Sequence, residues 1–144
     1  MDTRQLIEAT TTAWNGRDRE GYLALYSEDC EVTTPGFTGR GHEALAEVWE
    51  QQMSALPDNR ITVLRMAVGE HDAFAFEESV IEGTHTGPLQ GPDGSVLPAT
   101  GLHVSSAFCM VHEQRGGHLV AARLYYDPIE LLTQLGVAGE AALA

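Results

Sequence analysis

Four side chains in the second half of the chain have the types and spacing for acid–base chemistry. Glu78 sits inside an alternating run at 72–83, and Arg123, Tyr125 and Asp127 occupy alternate positions at the end of another. Alternate strand residues share a face and lie about 6.6 Å apart, so Arg123 and Asp127 stand roughly 13 Å apart at Cα with Tyr125 between them. An Arg side chain closes much of that gap. Burial raises a carboxylate's pKa and a neighbouring guanidinium lowers it. A carboxyl poised between those influences can take and return a proton near neutral pH.

The other reactive types are in weaker settings. His85 lies among glycines, where its ordinary part is to fix a loop by hydrogen bonds. His103 is expected to face outward or toward a second subunit, and His112 and His118, flanking a turn, are expected in solvent. No two histidines have the i, i+4 spacing of helical metal ligands and no Cys-x-x-Cys occurs, so no metal site is expected. Ser105 and Ser106 lack the glycine context of a nucleophile elbow. The segment 83–101 has no Lys or Arg, so its glycines do not suggest a phosphate cradle. Cys30 and Cys109 sit in apolar runs and form no disulfide framework.

These residues must be held by elements the sequence announces. Leu6, Ala9, Thr10, Ala13 and Trp14 repeat at helical spacing behind an Asp2/Gln5 capping pair, and Asn15-Gly16 ends the helix. A second short helix is expected at 18–26, and a short β run at 30–34 stops at Pro35-Gly36. Leu45, Val48, Trp49, Met53 and Leu56 mark a further helix closed by Pro57-Asp58. Then come four alternating, β-rich runs, 60–69, 72–83, 102–113 and 118–126, the first two and last two joined by short breaks that suggest antiparallel hairpins. Asp127-Pro128-Ile129-Glu130 reads as an N-cap with proline at the first helical position, and Gly136 ends that helix. The Ala-rich tail beyond it is expected to fray. Gly91-Pro92-Asp93-Gly94 is a turn by composition.

Alternation assigns faces. Phe74, Phe76, Glu78 and Val80 are expected inward, with Ala75, Glu77, Ser79 and Ile81 outward. Leu102, Val104, Ser106, Phe108 and Met110 form an inward face, as do Thr62, Leu64, Met66 and Val68. Helices followed by long strands make an α+β domain, with helices laid on one face of a curved antiparallel sheet. Three helices are too few to fill such a cone. Glu78, Arg123, Tyr125 and Asp127 would then meet in an apolar hollow suited to a small molecule.

One domain of 144 residues is expected, 1–144, since this size buries enough surface for a core without disulfides or metal. Eight Lys plus Arg against 21 Asp plus Glu give a net charge of −13, which repels phosphate backbones and anionic lipid heads. Nucleic acid and membrane surfaces are therefore not expected partners. The N-terminus has no signal-peptide pattern and no apolar run is long enough to span a bilayer, so a cytoplasmic setting is expected.

Several blocks carry a family likeness. Gly83-Thr84-His85-Thr86-Gly87-Pro88-Leu89, Pro98-Ala99-Thr100-Gly101, Arg123-Leu124-Tyr125-Tyr126-Asp127 and Leu131-Leu132-Thr133-Gln134-Leu135-Gly136 resemble the SnoaL-like polyketide cyclases of the nuclear transport factor 2-like superfamily. The likeness, including Ala13-Trp14-Asn15, covers nearly the whole chain. It implies an α+β cone with the N-terminal helices on the concave face of the sheet, and a homodimer through the outer face. It implies cofactor-free, aldol-type closure of a polyketide ester in secondary metabolism such as antibiotic biosynthesis. Asp127 then matches the proton shuttle, Arg123 and Tyr125 polarise the carbonyl, and Glu78 or His85 assists. Trp14, Trp49, Met53, Tyr125, Phe108 and Met110 would bind the substrate. In one respect the chain departs from its relatives: many carry Glu-His-Trp in the last strand, where Ala121-Ala122-Arg123 stands here. Because the fold hosts other chemistry, an epoxide hydrolase or epoxide-opening cyclase using Glu78, Arg123 and Asp127, or a non-catalytic binding module, are the alternatives.

Overall fold

The Asp2 carboxylate accepts the Gln5 amide and the Gln5 side chain accepts the Asp2 amide, so the first helix starts at its capping pair. The computed structural model describes residues 1–91 and 93–137, and the Ala-rich tail from 138 onward lies outside them. Helix α1 (Thr3–Asn15) is followed by α2 (Arg19–Ala24), shorter than its spacing suggests because Tyr26 already begins strand β1 (Tyr26–Thr34). Pro35 and Gly36, the latter at φ +80°, turn the chain into β2 (Phe37–Arg40), a hairpin arm the sequence reading did not include. Helix α3 (Gly41–Ala55) leads to β3 (Arg60–Val68), β4 (Phe74–Thr84), a small hairpin β5 (Leu89–Gln90) and β6 (Val96–Leu97), then β7 (His103–Arg115) and β8 (His118–Tyr126). Asp127 caps α4 (Pro128–Gln134), and Gly136 at φ +81° follows the helix end.

The six-stranded sheet runs β2-β1-β8-β7-β4-β3, antiparallel except where β1 and β8 pair in parallel. The hairpins β3–β4 and β7–β8 are those expected from the short breaks. Register shifts interrupt β1/β8, β3/β4 and β7/β8. Each extra residue bends its strand and adds twist, which curls the sheet into the expected cone. Helix α1 packs against β3, and α3 against β1. A core of Leu6, Trp14, Tyr22, Tyr26, Leu45, Trp49 and their neighbours joins these helices to β1 and β8.

Three of the four face assignments are corrected, that of β8 where the site is described below. In β4 the inward side chains are Ala75, Glu77 and Ser79, while Phe76 is 48% exposed and stacks edge-on with Phe74 on the convex face. In β3 the inward positions begin at Ile61 and Val63; the shift after Val63 leaves Leu64 and Arg65 exposed before Met66 and Val68 turn back in. Small residues on the concave face of β4 leave room for α1, so the aromatics signal the outer surface here. A slip of one residue exchanges every side chain between faces. The inward face of β7 is as expected at Val104, Ser106, Phe108 and Met110, while Leu102 lies exposed before the strand.

Candidate active site

The concave face encloses a largely apolar cavity of about 100 Å³. Among the described residues lining it, Glu77 is the only acid or base of the Asp, Glu, Lys, Arg or His type. The β4 register delivers it: Glu77 sits between Ala75 and Ser79 on the inward face and is 3% exposed. The Ser79 hydroxyl donates to Glu77 Oε1 at 2.7 Å, and His112 Nε2, on β7, lies 2.7 Å from Oε2. An ionised carboxylate can only accept, so this bond assigns the proton to Nε2. Among the described residues, His112 Nδ1 is buried with no hydrogen-bond partner. The expectation of a solvated His112 is thus corrected, because β7 runs on to Arg115 and carries the inward alternation of Phe108 and Met110 two residues further. His118 and His103 are exposed, as expected.

Two tyrosine hydroxyls, Tyr22 and Tyr26, line the same cavity and stand 3.5 Å apart. Burial, reinforced by the charge of Glu77, pushes Tyr22 up to about 12 and Tyr26 well above the ordinary phenol range. Both therefore remain neutral hydrogen-bond donors at any physiological pH. Burial also raises Tyr126, which lines the cavity from the end of β8. Trp14 is held against this wall by its indole N–H, which donates to Asn59 Oδ1 at 2.6 Å, and by edge-on packing on Trp49 and Tyr22 at 4.9 and 5.5 Å. Helix α4 closes over one side with Leu131, and Gln134 docks it by bonding both the N–H and the carbonyl of Ser105.

Of the residues expected to bind substrate, Trp14, Phe108 and Met110 line the cavity. Trp49 and Met53 stand behind it: Trp49 supports Trp14 and Tyr22, and the Met53 sulfur accepts from Asn59 Nδ2. The expected polar convergence does not form. Glu78 is exposed and pairs with Arg65 at 3.2 Å on the convex face. Arg123 points to the same outer face, bonded to Glu113 at 2.7 Å and near Glu31 at 3.7 Å; the Glu113 hydrogen bond raises its pKa further. Tyr125 is 52% exposed beside it. Asp127 is exposed and accepts the Ile129 and Glu130 amides as the cap of α4. Inward from β8 come Leu124 and Tyr126, so its polar alternation marks the outer surface. His85 is buried and bonds Thr100 through Nδ1, fixing the Gly-rich loop. With one carboxylate in the cavity, the acid–Arg–acid set suggested for epoxide opening is not assembled there.

The sequence reading missed Glu77, His112 and the tyrosine pair. Two signals point to the acid and the imidazole: β7 alternation continued to 112, and the ladder that sets Glu77 opposite Met110. Directly opposed residues share a face. The same ladder bears on the missing histidine of the last strand. Ala122, the position at which the family resemblance implies a histidine, pairs with His112 across β7–β8. An imidazole therefore reaches this side of the cone from the neighbouring strand.

The SnoaL-like domain family matches residues 7–122. No curated protein matches the chain in sequence. Among solved structures, AclR from Streptomyces galilaeus, described as a candidate hydroxylase, superposes with a TM-score of 0.80 at 20% identity, covering 96% of this chain and 87% of its own. IdmH from Streptomyces antibioticus, described as a candidate polyketide cyclase, gives 0.79 at 23% identity, covering 95% and 100%. A protein of ketosteroid isomerase-like fold from Catenulispora acidiphila, in complex with trimethylamine, gives 0.73 at 16%, covering 92% of each chain. These likenesses establish the cone. With residues 7–122 matched to the family, the chain belongs to the SnoaL-like domain family.

Proposed function

We propose that the protein is a cofactor-independent cyclase that closes a ring in a polyketide-like substrate by acid–base catalysis, with Glu77 as the base. The observation that carries this reading is a carboxylate 3% exposed, held by Ser79 and His112 and facing an aromatic cavity. Glu77 removes a proton from a carbon flanked by two carbonyls, and the electron pair moves onto oxygen. The enolate oxygen accepts hydrogen bonds from Tyr22 and Tyr26, whose protons stay in place. The carbon then attacks a second carbonyl of the same molecule, one C–C bond forms, and the alkoxide takes the proton back from Glu77. Positioned proton transfer contributes about 10²–10⁴-fold, and preorganised donors at the developing oxyanion add to it. The chain has no lysine, so an imine route through a lysine amine is not open to it.

The test is turnover of a linear aromatic β-keto methyl ester that carries a second ketone. Glu77→Gln, which preserves shape, is expected to lower kcat by about 10²-fold or more. Turnover within a few-fold of wild type in folded Glu77→Gln overturns the assignment. Tight binding by wild type with no turnover makes the chain a binding module instead.

A further inference from the structure

The inner cavity adjoins an outer chamber, with Val48, Gln52, Leu124 and Tyr126 in the lining of both. The outer chamber lies between the β1–β2 turn, α3 and the β5–β6 hairpin, and its character differs. Inside, the wall is apolar and aromatic. Outside, it carries the amides of Gln51, Gln52 and Gln90, with Glu47 at the rim. Gln51 Nε2 donates to Gln90 Oε1 at 3.2 Å, bridging α3 to the hairpin. Among the described hydrogen bonds none uses the Gln52 side chain, which leaves its amide free at the junction of the two chambers. Neither chamber has a Lys or Arg among its described lining residues, and each has one glutamate, Glu77 within and Glu47 without. The whole chain adds a net charge of −13 to that field.

We propose that the outer chamber is a subsite for an uncharged hydrogen-bonding substituent, an amide, ester or hydroxylated group, at the far end of an apolar substrate. A carboxylate or phosphate tail is excluded from it. The physical reasons are direct. Amide side chains both donate and accept, so they match neutral polar groups in either sense. An anion entering would give up hydration beside Glu47 with no cation to replace it. Discrimination of this kind works through a repulsive element as much as an attractive one. The inference deepens the cyclase reading by naming which end of the substrate stays outside, and it relies on that reading only for the reacting end.

The test uses a pair of equal shape, 6-phenylhexanamide and 6-phenylhexanoate, with binding followed by calorimetry and by quenching of tryptophan fluorescence at pH 7.5. Wild type is expected to bind the amide at least tenfold more tightly. Glu47→Gln should narrow that ratio several-fold, and Gln51→Arg should bring the carboxylate to parity or better. Gln52→Ala should weaken the amide severalfold and leave the carboxylate little changed. Equal binding of the two probes, binding of neither, or a ratio indifferent to all three substitutions overturns the proposal. Because this test reads binding and the Glu77 test reads turnover, the two failures separate: loss of selectivity with turnover intact sinks the subsite, and selectivity without turnover sinks the cyclase chemistry.

Discussion

His112 Nε2 stands 2.7 Å from Glu77 Oε2, and the two side chains are 1% and 4% exposed. Removing one member of such a pair strands the other in an apolar wall, which costs about 3–5 kcal/mol, whereas replacing both by apolar groups of similar volume is often neutral. His112→Leu is therefore expected to lose several kcal/mol in urea unfolding, and Glu77→Leu/His112→Leu to recover most of it. Additive losses in that double-mutant cycle would mean that the contact carries no coupling.

The tyrosine pair sets the alkaline limit of the fold. Burial raises Tyr22 to about 12 and holds Tyr26 well above the ordinary phenol value, against about 10 in an unfolded chain. Between those values the unfolded chain releases protons that the folded one keeps. The stabilisation is thus complete below about pH 10 and is lost as pH rises toward 12. Tyr22→Phe should flatten the fall in Tm over that window. Phenolate absorbance at 295 nm should show both hydroxyls protonated at pH 10.5 while the protein stays folded.

Asp58 sets part of the acid limit. Its two carboxylate oxygens accept the Thr84 amide and hydroxyl at 2.7 and 2.8 Å, and those bonds hold its pKa below the ordinary carboxylate value. A lowered folded pKa gives stability that is present above about 3.9 and lost as pH falls through the lower value. Asp58→Ala is expected to lower Tm by about 4 °C at pH 7, the effect of roughly 1 kcal/mol of hydrogen bonding. The deficit should close as the pH approaches 2. A deficit constant from pH 7 to 2 would place the effect elsewhere than in the ionised carboxylate.

Asp127 separates a cap from a proton shuttle. It accepts two amides at the start of α4, it is exposed, and it is not among the described residues that line the cavity. Asp127→Ala is expected to cost about 1 kcal/mol through the lost cap, while Asp127→Asn, equally good in that position, stays near wild type. Turnover of both variants should remain within tenfold. A loss of a hundredfold in Asp127→Asn with stability unchanged would return the proton transfer to this residue.

The elements were legible because local signals mark their ends. Asp2 with Gln5 and Asp127 with Pro128 announce helix starts, and the alternation at 60–69, 72–83, 102–113 and 118–126 announces the strands. The faces were harder to read. Aromatic side chains at Phe74 and Phe76 pack on one another outside the cone, and Ala75 and Ser79 line its inside, so hydrophobicity and burial have opposite signs along β4. In β8 the ordinary rule holds instead, with Leu124 and Tyr126 inward and Arg123 and Tyr125 outward. Only cross-strand pairing fixes which face is which, and pairing is a property of two strands at once. Phe108 and Met110 were readable; Glu77 opposite Met110 required the ladder.

The opposition of His112 and Ala122 gives the most demanding prediction. Both positions are buried, at 1% and 2% exposure, and their side chains leave the sheet on one face, so an imidazole on either strand enters the same region. His112→Ala opens a cavity beside Ala122 and is expected to cost turnover at least tenfold. Adding Ala122→His to that variant refills the space, nearly conserves volume, and returns a ring nitrogen toward Glu77. The exchange should recover at least tenfold in kcat and part of the lost stability. Ala122→His alone, overpacking against an intact His112, should destabilise by about 1–3 kcal/mol. Recovery of stability without recovery of turnover would show that the imidazole is needed at His112 itself, with the geometry that only β7 provides.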